Sequence, residues 1–203
     1  MQKDDHTDEL VETRWTQATT YPDMWVDPED DPREAAAKPV DERGILLDSL
    51  RHHRLTLEMK CAGLDAEQMA RRSVPPSTMS LLGLVRHLTE GERHFRRVMA
   101  GEDAPKLYCT PEDRDGDFNG AVADPAVVED AWRQWRTEVE RTDRYLAGVT
   151  DLGTRNAGFS DLGPEPGGSE QLRDVLVAEI AEYARHCGHA DLLRERIDGR
   201  VGQ

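Results

Sequence analysis

Four stretches of about 20 or more residues, each with apolar side chains recurring three and four positions apart, restrict this chain more than anything else in it. The first runs from Asp41 to about Cys61 with Leu46, Leu47, Leu50, Leu57 and Cys61 on one face, and stops before Gly63. The second, from about 78 to 100, carries Leu81, Leu84, Val85, Leu88, Phe95, Val98 and Met99 and ends at Gly101. Asp124-Pro125 reads as an N-cap with proline in the first turn, opening a third helix striped by Val128, Ala131, Trp132, Trp135, Val139 and Leu146. The last pattern begins at Ser169, with Leu172, Val175, Leu176, Ile180, Tyr183 and Leu193 on its core side. A short helix is expected at about 65 to 72, followed by a Pro75-Pro76 break after which Ser77 or Ser80 caps the second long helix. Residues 148 to 168 hold six glycines and two prolines, too many for a helix interior. With no alternating strand pattern, no internal repeat and no glycine-rich phosphate loop, the chain reads as an all-α four-helix bundle.

The bundle is expected to occupy residues 39–203, behind an acidic, largely irregular extension over 1–38 that Trp15, Tyr21, Met24 and Trp25 can pin to its surface. The net charge of -15 is concentrated. Residues 1–35 hold 11 acids against 3 bases and residues 102–130 hold 9 against 2, while the rest of the chain balances. Such a distribution lacks the basic patch of a nucleic-acid binder and assigns the acidity of the tail and the 102–123 loop to solubility. No run is apolar enough to span a membrane and the first residues lack a signal-peptide layout, so a cytoplasmic protein is expected. Cys61, Cys109 and Cys187 are too few and too scattered for a disulfide framework or a CxxC motif, and Cys187 reads as packing.

Polar residues fall where the last helix should be hydrocarbon. Counting about 100° per residue from Leu176, the apolar side centres near 300°, yet His186 falls at about 280°, Glu182 at about 240° and His189 at about 220°. Glu182 and His186 are i and i+4, and His186 and His189 are i and i+3, so their side chains can converge. A divalent ion is one economical way to satisfy a carboxylate and imidazoles there. His87, on the border of the second helix's stripe, completes a candidate His87, Glu182, His186 site with positions open to water or substrate. Glu90 and His94 form a rival ExxxH pair, against which stands the neighbouring run of Glu92, Arg93, Arg96 and Arg97, read as a solvated charged edge. His52 and His53 are sequential and point apart, and Arg185, Arg194, Arg196 and Arg200 read as solvating helix arginines without a site role.

Three stretches, DERGILLDSLRHHRLTLEMKCAGL at 41–64, PPSTMSLLGLVRHLTEGERHF at 75–95 and EYARHCGHADLLRERIDG at 182–199, resemble the DinB-like superfamily. Within it the chain is similar to the branch near mycothiol S-transferases and mycothiol-dependent maleylpyruvate isomerase, over about Met24 to Gly199. The resemblance implies an up-down-down-up bundle with a divalent metal held by His87, Glu182 and His186. The carboxylate-first ExxxH pair resembles the isomerase rather than the HxxxH of many relatives. His189 stands where many relatives have glutamine, as a fourth ligand, a group behind the ligands or a proton carrier. His94 departs from the bulky aromatic of close relatives.

These readings point to a metal-dependent transferase that activates a low-molecular-weight thiol, mycothiol by resemblance, for attack on a small electrophile. Zinc is the first expectation for the metal, with nickel, manganese and iron as alternatives. Two other classes stand beside it: a metal-dependent hydrolase or other small-molecule biosynthetic enzyme, and a non-catalytic binding bundle. A homodimer is compatible with the resemblance.

Overall fold

The computed structural model describes residues 13–156 and 170–203, with the backbone of 159–160 and 163–164. Six α-helices follow in order: α1 (Glu42–Cys61), α2 (Ala66–Ala70), α3 (Leu81–Ala100), α4 (Gly116–Asn119), α5 (Pro125–Gly148) and α6 (Leu172–Asp198). The local chemistry that starts and stops them is the one expected. Asp41, Ser80 and Asp124 each accept a backbone N–H in the first turn of α1, α3 and α5, and Asp65 and Gln68 form a capping box on α2. Gly101 and Gly199 close α3 and α6 at φ 66° and 79°, where a side chain would be strained. The start of α6 falls at Leu172, and Ser169 lies outside the described residues. The glycine-rich connection contributes a two-residue antiparallel ladder, Phe159–Ser160 with Gly163–Pro164, which leaves the all-α class unchanged.

Cross-helix contacts give the helix directions. Arg173 pairs with Glu42, the Cys187 thiol meets the His53 carbonyl, and Lys60 pairs with Asp191, so α1 and α6 advance in parallel. Arg93 pairs with Glu138 and the Tyr145 hydroxyl donates to the Met99 carbonyl, so α3 and α5 are also parallel. Across the α3–α6 seam the order reverses: His87 meets Glu182, whereas Gly91 faces Glu179. The result is an up-down-down-up bundle. Every stripe residue read from α3 is buried, together with Leu50, Leu57, Trp135, Leu176 and Tyr183.

Two parallel neighbours consecutive in the bundle require a connection that travels back along a whole helix, about 30 Å for 20 residues. The 101–124 segment does this by lying on α3 itself. Arg93 donates to the Pro105 carbonyl, Glu90 accepts the backbone N–H groups of Leu107 and Tyr108, and Arg86 donates to the carbonyls of Gly116 and Asp117. Phe118 then packs where Gly83 has no side chain. The segment expected to be only a solubilising loop is therefore packed structure, with α4 in it and Asp117 buried.

The charged run on α3 corrects a second expectation. Glu92 and Arg96 are fully buried rather than solvated. The Glu92 carboxylate accepts from Arg54 Nε at 2.8 Å and from the Tyr183 hydroxyl at 2.8 Å, and Tyr183 in turn accepts from Trp135 Nε1 at 2.9 Å. Arg96 donates to the Glu138 and Glu92 carbonyls and pairs with the Glu138 carboxylate. Arg194 and Arg200 are buried too: Arg194 donates to the carbonyls of Lys60 and Ala62 at the end of α1, and both guanidinium groups flank the Trp25 ring. Buried Trp25 pins residues 13–38, together with Trp15, whose indole donates to the Asp198 carbonyl and whose backbone pairs with Gly199 and Val201; the segment is otherwise irregular apart from two 3-10 turns at Pro28–Asp30 and Pro32–Ala35, and Tyr21 stays exposed. Among the described residues no helix is long and apolar enough to cross a membrane.

Beside Glu92 on the facing helix lies Glu179. Its pKa is pushed up to about 8, first by burial and then by the Glu92 charge, against the pull of Arg54. The folded protein thus holds a proton that the unfolded chain releases near 4.5, so the stabilisation from this group is complete below that value and is lost as pH rises through about 8. Chemical denaturation from pH 5 to 8 is expected to show stability falling by roughly 1 kcal/mol per pH unit relative to a Glu179→Gln variant, which lacks the titration. Parallel curves for the two proteins would contradict the buried acid.

Candidate metal centre

The three residues singled out on two helices meet. His87 Nε2 lies 3.2 Å and His186 Nε2 3.1 Å from the same atom, Oε1 of Glu182, and the His87 and His186 rings are edge to face at 4.7 Å. One donor atom from each falls within 4.8 Å of the others, a set that can hold a metal ion. At metal–ligand distances of about 2.1 Å, neighbouring donors stand roughly 3.0 Å apart around an octahedral ion and 3.4 Å around a tetrahedral one. The two histidine–Glu182 separations fall in that interval, and the third donor separation lies within 4.8 Å.

Each side chain is placed by its helix. Glu182 and His186 are one turn apart on α6, and His87 faces them because α3 and α6 run in opposite directions. His186 is buried, whereas His87 and Glu182 are about a third exposed, at 31% and 32%. The cluster therefore has a protein side and an open side. On the open side a cavity of about 380 Å³ lies between α3 and α6, reaching His87 and Glu182 and bounded by Leu88, Phe95, Val175 and Glu179.

The other ring nitrogens are occupied. His87 Nδ1 stands 2.8 Å from Asp117 Oδ2, and Phe118 stacks on the His87 ring at 5.4 Å. The Nδ1–H donated to Asp117 leaves Nε2 directed at Glu182, the arrangement in which a carboxylate orients a histidine for metal binding. His186 Nδ1 meets His189 Nδ1 at 3.2 Å, so His189 lies behind His186 and outside the three-donor set. Burial alone would pull the His87 pKa down, but the hydrogen bonds and charges of Asp117 and Glu182 outweigh it and raise it. His186 is held below its ordinary value by burial and the His87 charge. For Glu182 and Asp117 burial acts upward, but the histidine partners win and both carboxylates are held below the usual range.

The rival pair does not form a cluster of this kind. Glu90 spends its carboxylate on the Leu107 and Tyr108 backbone, and His94 is exposed at the rim of the cavity. His52 and His53 are edge to face at 5.7 Å, both held below their ordinary pKa by burial. Burial pushes the Cys187 thiol up to about 12, consistent with packing rather than reactivity.

Two residues of the site were not read from the sequence. Asp117 carried no signal, because only the path of the 101–124 segment along α3 brings it to His87. Glu179 did carry one: the count that puts Glu182 at about 240° puts Glu179 at about 300°, the centre of the apolar side.

Among curated proteins none matches the chain. A family model described as mycothiol-S-transferase matches residues 45–199, a span that takes in α1 from its fourth residue and all of α3, α5 and α6, and contains all three clustered residues. With about three-quarters of its length matched, the chain belongs to the mycothiol-S-transferase family.

Proposed function

We propose that this protein is a metal-dependent transferase in which His87, Glu182 and His186 hold a divalent ion and a low-molecular-weight thiol, mycothiol, attacks a small electrophile in the cytoplasm. The convergence of two imidazole nitrogens on one Glu182 oxygen, at the mouth of a 380 Å³ cavity, carries this reading. The family adds the class of thiol. A donor set of two nitrogens and one oxygen suits zinc first, with nickel, manganese and iron as alternatives. Such an ion, when bound, supplies a Lewis acid that lowers a thiol's pKa and keeps its sulfur as thiolate near neutral pH.

The chain's own residues do the rest. Asp117 fixes the His87 tautomer and ring orientation by accepting from Nδ1, and His189 holds the His186 ring from behind through a nitrogen–nitrogen contact. Leu88, Phe95 and Val175 give one wall of the cavity an apolar surface that suits the hydrocarbon part of a small electrophile. None of the three thiols is needed as nucleophile: burial raises the pKa of Cys61, Cys109 and Cys187 alike.

Metal content after metal-free purification and reconstitution tests the site. About one equivalent is expected in the wild type, lost in His87→Ala, Glu182→Ala and His186→Ala and kept in Glu90→Ala. Metal-dependent conversion of mycothiol and a model electrophile is the matching activity, and metal-dependent hydrolysis without thiol would replace this reading with a hydrolase. Asp117→Asn leaves all three donors in place, so it is expected to retain the fold while weakening metal affinity by about 10–100-fold in a chelator competition. Unchanged affinity would show that Asp117 does not support His87.

A further inference from the structure

One carboxyl in the cavity has no task in the scheme above. Glu179 lies on α6 one turn before Glu182 and is 8% exposed, and its Oε1 has no hydrogen-bond partner among the described residues. It lines the cavity that reaches His87 and Glu182. Gly91 on the facing helix makes room for it: a Cβ there would stand 3.2 Å from Glu179 Oε1. A buried polar atom left without a partner costs stability, about 1–3 kcal/mol in general, so its presence on a ligand-sized cavity calls for an occupant that satisfies it.

The surroundings decide its charge state. From α3 it faces Glu92, from α1 Arg54, and from α6 Glu182 and Tyr183. Arg54 is already divided between Glu92 on its Nε and Nη2 and Asp143 on its Nη1, so among the described residues Glu179 has no cation of its own. His87, Glu90, His94, Lys106 and Glu170 complete the charged and titratable rim of the cavity. With Glu182 free of a cation, burial and the Glu92 charge push the Glu179 pKa up to about 8, and its buried position on the cavity places it to pass a proton to an occupant.

Building on the thiol-transfer reading, we infer that Glu179 is the proton donor of the site and that the cavity accepts electrophiles needing a proton, of the α,β-unsaturated carbonyl class. The thiol sulfur forms a bond to the β-carbon as the carbon–carbon π pair shifts towards the carbonyl oxygen. That oxygen takes the Glu179 proton, and the resulting enol reverts to the carbonyl compound. The proton the thiol lost on becoming thiolate returns to the Glu179 carboxylate through solvent, so the net change is addition of the thiol across the double bond.

A paired assay separates this role from a structural one, because displacement of bromide from a bromomethyl alkylating reagent needs no proton donor. Zinc-reconstituted protein is supplied with mycothiol and either N-ethylmaleimide or monobromobimane, and the ratio of the two enzymatic rates is read after subtraction of the uncatalysed rates. Glu179→Gln is expected to lower that ratio by about 10²-fold while holding metal as the wild type does. Glu179→Asp, which keeps the acid, is expected to keep the ratio within tenfold, and Glu179→Met replaces the glutamine variant if that does not fold. Infrared spectra of the metal-free protein at neutral pH provide a second readout, a protonated-carboxyl band that the glutamine variant lacks. Absence of that band in the wild type, or equal loss of both rates in the acid-free variant, overturns the assignment while leaving the transferase reading in place. A folded, metal-loaded wild type that turns over neither electrophile with mycothiol overturns the transferase reading, and this inference with it.

Discussion

The Glu92 carboxylate, fully buried in the middle of α3, is the interaction on which the arrangement of the four long helices depends. An ionised carboxylate in a bundle core is tolerated only if its lone pairs are filled, and here the partners come from every neighbouring helix. Arg54 reaches it from α1 and is held in turn by Asp143 of α5, while Tyr183 reaches it from α6 and is held by Trp135 of α5. Apolar stripes tolerate small slips, whereas this set of directional bonds has one register in which all are made. Tyr183 is next to Glu182, and Glu92 is little more than one turn from His87. The clamp that fixes α3 against α6 therefore also fixes the separation of the candidate metal donors.

The second constraint is topological. An up-down-down-up order makes α3 and α5 parallel, so the connection between them has to cover the length of a helix. Laid along α3, it meets Arg93, Glu90, Arg86 and Gly83 in turn, each of which either donates to its backbone, accepts from it, or leaves room for Phe118. Asp117 reaches His87 as a consequence of that path. The acidic composition of the segment is thus not only a matter of solubility, since one of its carboxylates orients a histidine of the candidate metal site.

Helix positions were legible in the sequence because their signals are local. Spacing, caps and glycine stops place α1, α3 and α5 within about three residues, and the Glu182–His186 pair is one helical turn. His87 was legible as a border residue, and its meeting with α6 required the bundle. What could not be read was long-range: that Arg54 would make Glu92 a core residue, that Arg194 would cap α1 from α6, and that Asp117 would be carried to His87. The charged run at 92–97 looked like a solvated edge because composition reports charge and not its partners. Yet Glu92 follows Leu88 by four and precedes Phe95 by three, so the stripe ran through it. A charged residue in phase with an apolar stripe indicates a buried partner elsewhere in the chain.

Four carboxylates along the α3–α6 seam show how one side-chain type is sorted into different states. Glu92 has Arg54 and a tyrosine hydroxyl as its partners. Asp117 and Glu182 have histidines, which hold both below the usual carboxylate range and ready to accept hydrogen bonds or a cation. Glu179 is buried beside a carboxylate with no cation of its own among the described residues, so the same physics pushes its pKa up to about 8. The supply of positive partners, not the residue type, thus separates the carboxylate of the helix clamp, the carboxylates held low by histidine and the one pushed up by burial along a seam only a few helical turns long. Because Glu182 and Glu179 are one turn apart, positive charge arriving at the first weakens the hold of the second on its proton. The group suited to binding a cation and the group suited to giving a proton are in this way coupled through α6.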